Sequence, residues 1–275
     1  MTAPLALLVL FAAFLHASWN ALLKSGSDRL WAMTIMGVVT SLACAGLLPF
    51  LPLPHGASWP YVIASAVLHV GYNLFLIRAY RSGEFGSAYP IARGSSPLLI
   101  TLGAALAAGE FPSLTGVTGI LLVSTGIISL AFRGRRLPEA GIFYALGTGI
   151  FISAYSITDG IGGRLSGSPI AYTLWMSLVS DVAAVPIYWL RRRDLHLWRG
   201  ARATGLAALG GVVSLLAYGI VIFAMANAPM GSVSALRETS VLFAVLLARI
   251  FFNERLTLRR ILSAIVIAVG ALCLE

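Results

Sequence analysis

Apolar stretches long enough to cross a bilayer as helices follow one another along this chain from end to end. About 20 apolar residues are needed to span the hydrocarbon core. Runs of that kind occupy roughly 3–23, 30–50, 59–80, 86–108, 113–132, 140–158, 168–190, 203–226, 231–252 and 257–274. Several are separated only by turn chemistry: "LPLPHGAS", "GEFPS", "GIGGRLSGSP" and "NAPMGS". In lipid every backbone polar group must be bonded internally, so such runs have essentially one outcome, the α-helix. The expected fold class is therefore an all-α integral membrane protein of ten transmembrane helices.

Composition agrees. The 275 residues are 59% hydrophobic and 11% charged, against about 25% charged in a typical soluble domain. The runs leave no length for a soluble domain, so any function must sit inside the membrane. The first run has no basic residue ahead of it, and Lys24 follows it. It reads as a retained helix and not as a signal peptide. Cys44 and Cys273 lie in apolar runs without a CxxC or a nearby His, which points to small packing residues and to neither a disulfide framework nor a metal site.

The formal charge of +9 does not mark a nucleic-acid groove, because the basic residues sit in short clusters between apolar runs. All Lys and Arg residues except Arg93, Arg164, Arg237 and Arg249 fall in or beside the loops after spans one, three, five, seven and nine. Basic loops stay in the cytoplasm, which predicts both termini on the opposite, periplasmic side.

Two stretches repeat. "ARGSSPLL" contains Arg93, Ser95 and Ser96, and "LRETSVLF" contains Arg237, Thr239 and Ser240. Each Arg is followed seventeen residues later by a Glu, Glu110 or Glu254. A shift of 144 also pairs Leu98 with Leu242, Leu114 with Leu258 and Gly126 with Gly270. Residues 1–135 and 136–275 thus read as two copies of a five-span unit. Five is odd, so the second copy is expected upside down: two inverted five-helix repeats around a central cavity, the architecture of many secondary transporters.

The stretches "AAGEFPSLTGVTGILLVSTG" and "FFNERLTLRRILSAIVIAVG", each placing a Glu, a Leu and a Gly-rich helix after the fourth span of its half, resemble the drug/metabolite transporter superfamily, EamA type. The resemblance covers nearly the whole chain. Within that superfamily the chain is most similar to the YddG-type exporters of aromatic amino acids. It implies a secondary transporter of the bacterial inner membrane that exports small amphipathic metabolites, aromatic and other amino acids or cationic drugs, by alternating access. Many members have basic termini and are drawn with both ends in the cytoplasm; here the ends are "MTAPLA" and "ALCLE".

Ionisable groups within spans are costly and tend to face a bundle interior or wet cavity. Arg93 lies deep in span four between Pro90 and Pro97. It is a candidate carboxylate clamp, because a guanidinium binds carboxylates bidentately, or half of a structural ion pair. Asp181, Arg237 and Glu238 are structural ion-pair candidates. As helix neighbours, Arg237 and Glu238 point about 100° apart and are expected to find partners elsewhere, with Asp181 available to either arginine and Arg93 to Glu238. Asp159 and Arg249 lie near run ends, where they would snorkel.

A polar and aromatic set completes the cavity candidates: His16, Trp19 and Asn20 in span one, His69, Tyr72 and Asn73 in span three, then Tyr89, Ser96, Tyr155, Trp175, Tyr218 and Ser240. Rings, Asn and His suit an aromatic or cationic solute better than a phosphate. Such residues also serve as helix anchors or packing groups. The four-helix multidrug relatives use a carboxylate in their first span, whereas span one here offers His16. No HExxH, GxSxG or nucleotide-binding loop is present, which argues against an enzyme, a cofactor, a metal or direct use of ATP. A channel would want a continuous polar stripe. The expected partners are a small-molecule substrate, such as an amino acid, and the lipid bilayer, with neither nucleic acid nor nucleotide.

Overall fold

A computed structural model describes residues 1–25, 28–82, 85–131, 139–182, 184–252 and 257–274. Glu254 and the 135/136 boundary between the expected halves lie outside these residues. The described residues are mostly helical: α1 (Ala3–Ser25), α2 (Arg29–Leu47), α3 (Trp59–Ser82), α4 (Phe85–Ala108), α5 (Leu114–Ser129), α6 (Glu139–Leu165), α7 (Pro169–Asp181), α8 (Ala184–Arg192), α9 (Ala201–Asn227), α10 (Met230–Arg237), α11 (Ser240–Phe252) and α12 (Leu258–Leu272). Among them, seven segments are long and apolar enough to cross a membrane. The apolar run 231–252 is not among the seven; it carries Arg237, Glu238 and Arg249 and is divided into α10 and α11.

The surface is apolar and the interior is partly polar, the reverse of a soluble domain. Phe50, Leu106, Phe111 and Leu114 are each more than four-fifths exposed, and α12 exposes Leu258, Leu262, Ile265 and Leu272. A surface this apolar is stable against lipid and not against water. Inside, Ser, Thr, Arg, Asp and Glu side chains are buried among Ile100, Val123, Met225, Met230 and Leu236.

Local chemistry sets the helix starts. Asp28, Ser113, Ser168 and Thr257 each cap a helix by accepting a backbone N–H with the side chain. Helices approach through glycine. At Gly119 an added Cβ would fall 2.7 Å from the Gly270 carbonyl, and at Gly270 one would fall 2.9 Å from the Gly119 carbonyl, so α5 and α12 meet backbone to backbone.

The "GIGGRLSGSP" stretch predicts a turn beginning near residue 158, but α6 continues to Leu165. Its glycines are packing surfaces: Gly160 faces Met230, Gly162 faces Tyr172 and Gly163 faces Ile222. The extension carries Asp159 inside a helix and wholly buries it. Asp159 therefore does not snorkel, whereas Arg249 on α11 is exposed.

The loops gather at two ends. At one, Asp28 takes ion pairs from Arg192 at 2.6 Å and Arg199 at 2.8 Å. Burial would push the Asp28 carboxyl up, but the Trp31 N–H and the two arginines outweigh it and hold it below the ordinary carboxylate value. At the other end the His55 N–H donates to the Ser166 carbonyl at 3.0 Å. There Glu110 pairs with Arg164 and accepts the Met230 N–H at 2.7 Å. The packing has a paired form: α1 lies on α9 as α3 lies on α6, α1 meets α10 and α11 as α6 meets α4, and α5 packs on α12 and α2 on α7.

Candidate functional site

Arg93 is set by a break in α4. Pro97 has no N–H, so the Arg93 carbonyl loses its helical partner. Ser96 Oγ supplies one at 3.0 Å, and Ser153 Oγ on α6 donates to the Ser96 carbonyl at 3.2 Å. Gly149 lets α6 close on this point; a Cβ there would lie 2.4 Å from Ser95 Oγ. On the facing side α10 stops at Arg237 without a proline. Glu238 and Thr239 form the turn before α11, with Thr239 Oγ1 donating to the Leu236 carbonyl at 2.7 Å.

The two breaks meet. Arg93 Nε faces Glu238 Oε2 at 2.9 Å, an ion pair without hydrogen-bond alignment. Arg237 Nη2 donates to Glu238 Oε1 at 3.3 Å. One carboxylate thus serves two guanidiniums. Sequence neighbours were expected to diverge; here the helix ends at Arg237, so the 100° rotation no longer separates it from Glu238. Asp181 is no partner to this group. It closes α7 beside Gly37 and Ala184, and among the described residues no ion pair reaches it.

Arg93 Nη2 also approaches His16 Nε2 at 3.5 Å. A guanidinium only donates, so His16 presents a bare Nε2 and is neutral. The His16 ring meets Trp19 edge-on at 5.2 Å, and the Arg93 guanidinium lies 5.9 Å from the Tyr89 ring centroid.

A second group lies further along α6. Asp159 Oδ1 accepts from Tyr172 Oη at 2.9 Å and Oδ2 from Tyr218 Oη at 2.6 Å. His69 Nδ1 lies 2.9 Å from the Ser65 carbonyl and 3.3 Å from its hydroxyl. The carbonyl only accepts, so Nδ1 carries the hydrogen. The His69 ring stacks on Tyr155 at 4.2 Å, and Tyr155 meets Tyr72 edge-on at 5.8 Å.

The remaining candidates divide. Ser240 is buried at the start of α11. The Asn20 amide bonds back to the His16 carbonyl at 2.8 Å. Asn73 is exposed on α3. Trp175 packs edge-on against Trp59, the first residue of α3, at 5.1 Å and belongs to that helix end. The charged groups are buried: Arg93, Arg237, Glu238 and Asp159 are each 6% exposed or less. A shallow indentation lies away from them, at Thr101, Glu110, Pro229 and Ser232. Among the described residues no three His, Cys, Asp or Glu come together as metal ligands.

Tyr172 and the Glu110–Arg164 pair escape the sequence reading. Treating "GIGG" as helix would have put Asp159 one turn beyond Tyr155, on its face. Nothing local to Tyr172 or Arg164 marks their partners.

Seven segments long and apolar enough to cross a membrane, around a buried charged and aromatic centre, mark a multi-pass membrane protein. Residues 139–274 match the model of the EamA-like transporter family, part of the drug/metabolite superfamily, which points to a transporter and away from an enzyme. No curated protein matches. A solved structure titled "Crystal structure of protein" superposes with a TM-score of 0.78, covering 99% of this chain and 96% of its own at 19% identity. At that identity the likeness speaks to the fold alone.

Proposed function

We propose that the chain is a secondary transporter that exports small amphipathic metabolites, aromatic and other amino acids foremost, by alternating access across the bacterial inner membrane. The observation that carries this is two guanidiniums sharing one carboxylate, beside the rings of Tyr72, Tyr89 and Tyr155. Arg93, Arg237 and Glu238 together leave one positive charge, buried where charge is costly. A substrate carboxylate neutralises it, with Arg93 as the clamp, and an aromatic or aliphatic side chain lies against the rings.

The same reading takes residues 1–135 and 136–275 as inverted five-span halves, with α7–α8 and α10–α11 each forming one broken span. Supporting it are the paired packing, the two breaks at Arg93 and Arg237, and the start of the EamA match at residue 139. Substrate reaches the centre when the halves part on one side. The basic loops lie toward the cytoplasm and both termini toward the periplasm.

Purified protein in vesicles should move labelled phenylalanine, and Arg93→Ala that inserts normally should lose at least tenfold in rate. Transport by Arg93→Ala at the parent rate removes the clamp. No movement of any amino acid, and no protection from heating by any, removes the substrate class.

A further inference from the structure

The end of the molecule that carries Asp28 also carries a basic ledge. Residues 191–202 contain Arg191, Arg192, Arg193, Arg199 and Arg202 against a single acid, Asp194. Between α8 and α9 this stretch has no helix of its own. A charged connection without helix would move freely in water unless something held it.

Several contacts hold this one. Arg193 leaves α8 in the left-handed conformation, φ 61°, and its N–H returns to the Trp189 carbonyl at 2.7 Å. The Leu197 carbonyl accepts the Trp31 indole N–H at 2.9 Å. The Leu197 side chain packs against the cluster of Trp31, Ile35, Tyr188 and Ala207. The Arg199 guanidinium lies over the Trp31 ring at 5.1 Å and pairs with Asp28. The ledge is therefore a fixed surface laid across α2, α8 and α9.

Its charge is only partly matched. Asp28 takes Arg192 and Arg199, and Asp194 turns to His196, whose backbone N–H it accepts at 3.1 Å. Arg191, Arg193 and Arg202 are exposed, and among the described residues no carboxylate pairs with them. Three guanidiniums without a counter-charge on one fixed surface attract an anion. The opposite end is different, because Glu110 and Arg164 neutralise each other there.

The ledge is also apolar. Leu195 is 57% and Trp198 70% exposed, and Ile187, Trp189 and Leu190 are exposed on α8 just before the arginines begin. A small soluble anion would leave these side chains in water. Exposed apolar residues that give way to Trp and then to Arg mark the level at which acyl chains meet headgroups. The occupant has to offer a negative charge with a hydrocarbon region adjoining it.

We propose that the end of α8 and residues 193–202 bind an anionic phospholipid. Arg191, Arg193 and Arg202 take its phosphate, to which guanidinium donors are matched. Its glycerol and upper acyl chain lie against Leu195 and Trp198. The site is separate from the centre at Arg93 and does not depend on what the protein transports. The bound lipid braces the junction of α2, α8 and α9.

The test uses the full chain in phosphatidylcholine nanodiscs, with about one-tenth of the lipid brominated so that it quenches any indole it touches. Brominated phosphatidylglycerol should quench at least about twofold more than brominated phosphatidylcholine at the same fraction. Trp198→Phe should lose most of that excess, because Trp198 is the reporter. The triple variant Arg191→Gln, Arg193→Gln, Arg202→Gln should lose it too, and the matching triple Lys variant should keep most of it. Salt at about 1 M, which screens charges beyond about 3 Å, should weaken it in the parent. Phosphatidylglycerol should also raise the unfolding temperature of the parent and not that of the Gln variant. Equal quenching by the two lipids in the parent overturns the proposal, as does an excess that survives in the Gln variant. Loss of the excess to inorganic phosphate at about 10 mM, too dilute to screen at close range, makes the ligand a soluble anion and overturns the lipid site. If the Gln variant does not fold, Trp198→Phe and the salt series decide: an excess unmoved by both overturns the site.

Discussion

Glu238 is the residue on which the centre depends. It is wholly buried and is the shared counter-charge of Arg93 and Arg237. Glu238→Gln leaves two guanidiniums facing each other across a neutral amide. Breaking a buried pair by removing one partner costs about 3–5 kcal/mol. Thermal unfolding in detergent should show a loss of that order, and Glu238→Gln should be less stable than Arg93→Ala, which removes an arginine and leaves the other pair intact. A variant as stable as the parent would mean that the arginines have other partners. Arg93 was singled out by its flanking prolines and Arg237 by its adjacent acid. The structure makes them two arms of one contact, and what separates them is the His16 and Tyr89 surroundings of Arg93.

Helices α5 and α12 show how the elements hold together. Their crossing has no room for a side chain: a Cβ on Gly270 would lie 2.8 Å from Leu122 Cβ and 2.9 Å from the Gly119 carbonyl. Because backbone must move, Gly270→Val should cost about 1–3 kcal/mol, read as a lower unfolding temperature and lower yield of folded protein. Gly46→Val, where a Cβ would meet nothing within 4 Å, is the matched control. At the junction of α2 with α8 and the segment before α9, Asp28 draws Arg192 and Arg199 together. Its carboxyl is held below the ordinary value of about 3.9. The depressed group stabilises the fold above the ordinary value, and the contribution is lost as pH falls through the folded one. Acid titration of stability should therefore be shallower in Asp28→Asn below about pH 4. An identical acid limb in both proteins would deny Asp28 that role. The exposed arginines keep the effect modest.

At the scale of the whole molecule, a clasp lies at the end opposite Asp28. Arg164 pairs with Glu110 and donates to the carbonyls of Met225 at 2.7 Å and Ala228 at 3.0 Å, while Glu110 holds the N–H of Met230. The clasp ties α4, α6, α9 and α10 together beside the small indentation. On the alternating-access reading, opening toward that end breaks it. Glu110→Ala should raise the labelling rate of a cysteine placed at Ser232, which lines the indentation, several-fold over the same cysteine in the parent. Unchanged labelling would show that opening toward this end does not pass through the clasp.

The sequence by itself determined the helical, lipid-facing character of the chain, the separation of basic loops from the rest, and Arg93 as a buried arginine beside prolines. These are local properties: run length, loop charge and backbone chemistry act within a few residues. Arg164 was legible only as a basic residue apart from the basic loops. Tertiary structure alone decided that Glu238 serves both arginines, that Asp181 serves neither and that Asn73 is exposed. It also buried Asp159 beneath Tyr172 and Tyr218. Each outcome turns on where a helix stops or which face it presents. Those are settled by glycine contacts between helices far apart in the chain, such as Gly162 on Tyr172 and Gly160 on Met230, which leave no mark in the pattern of any single run.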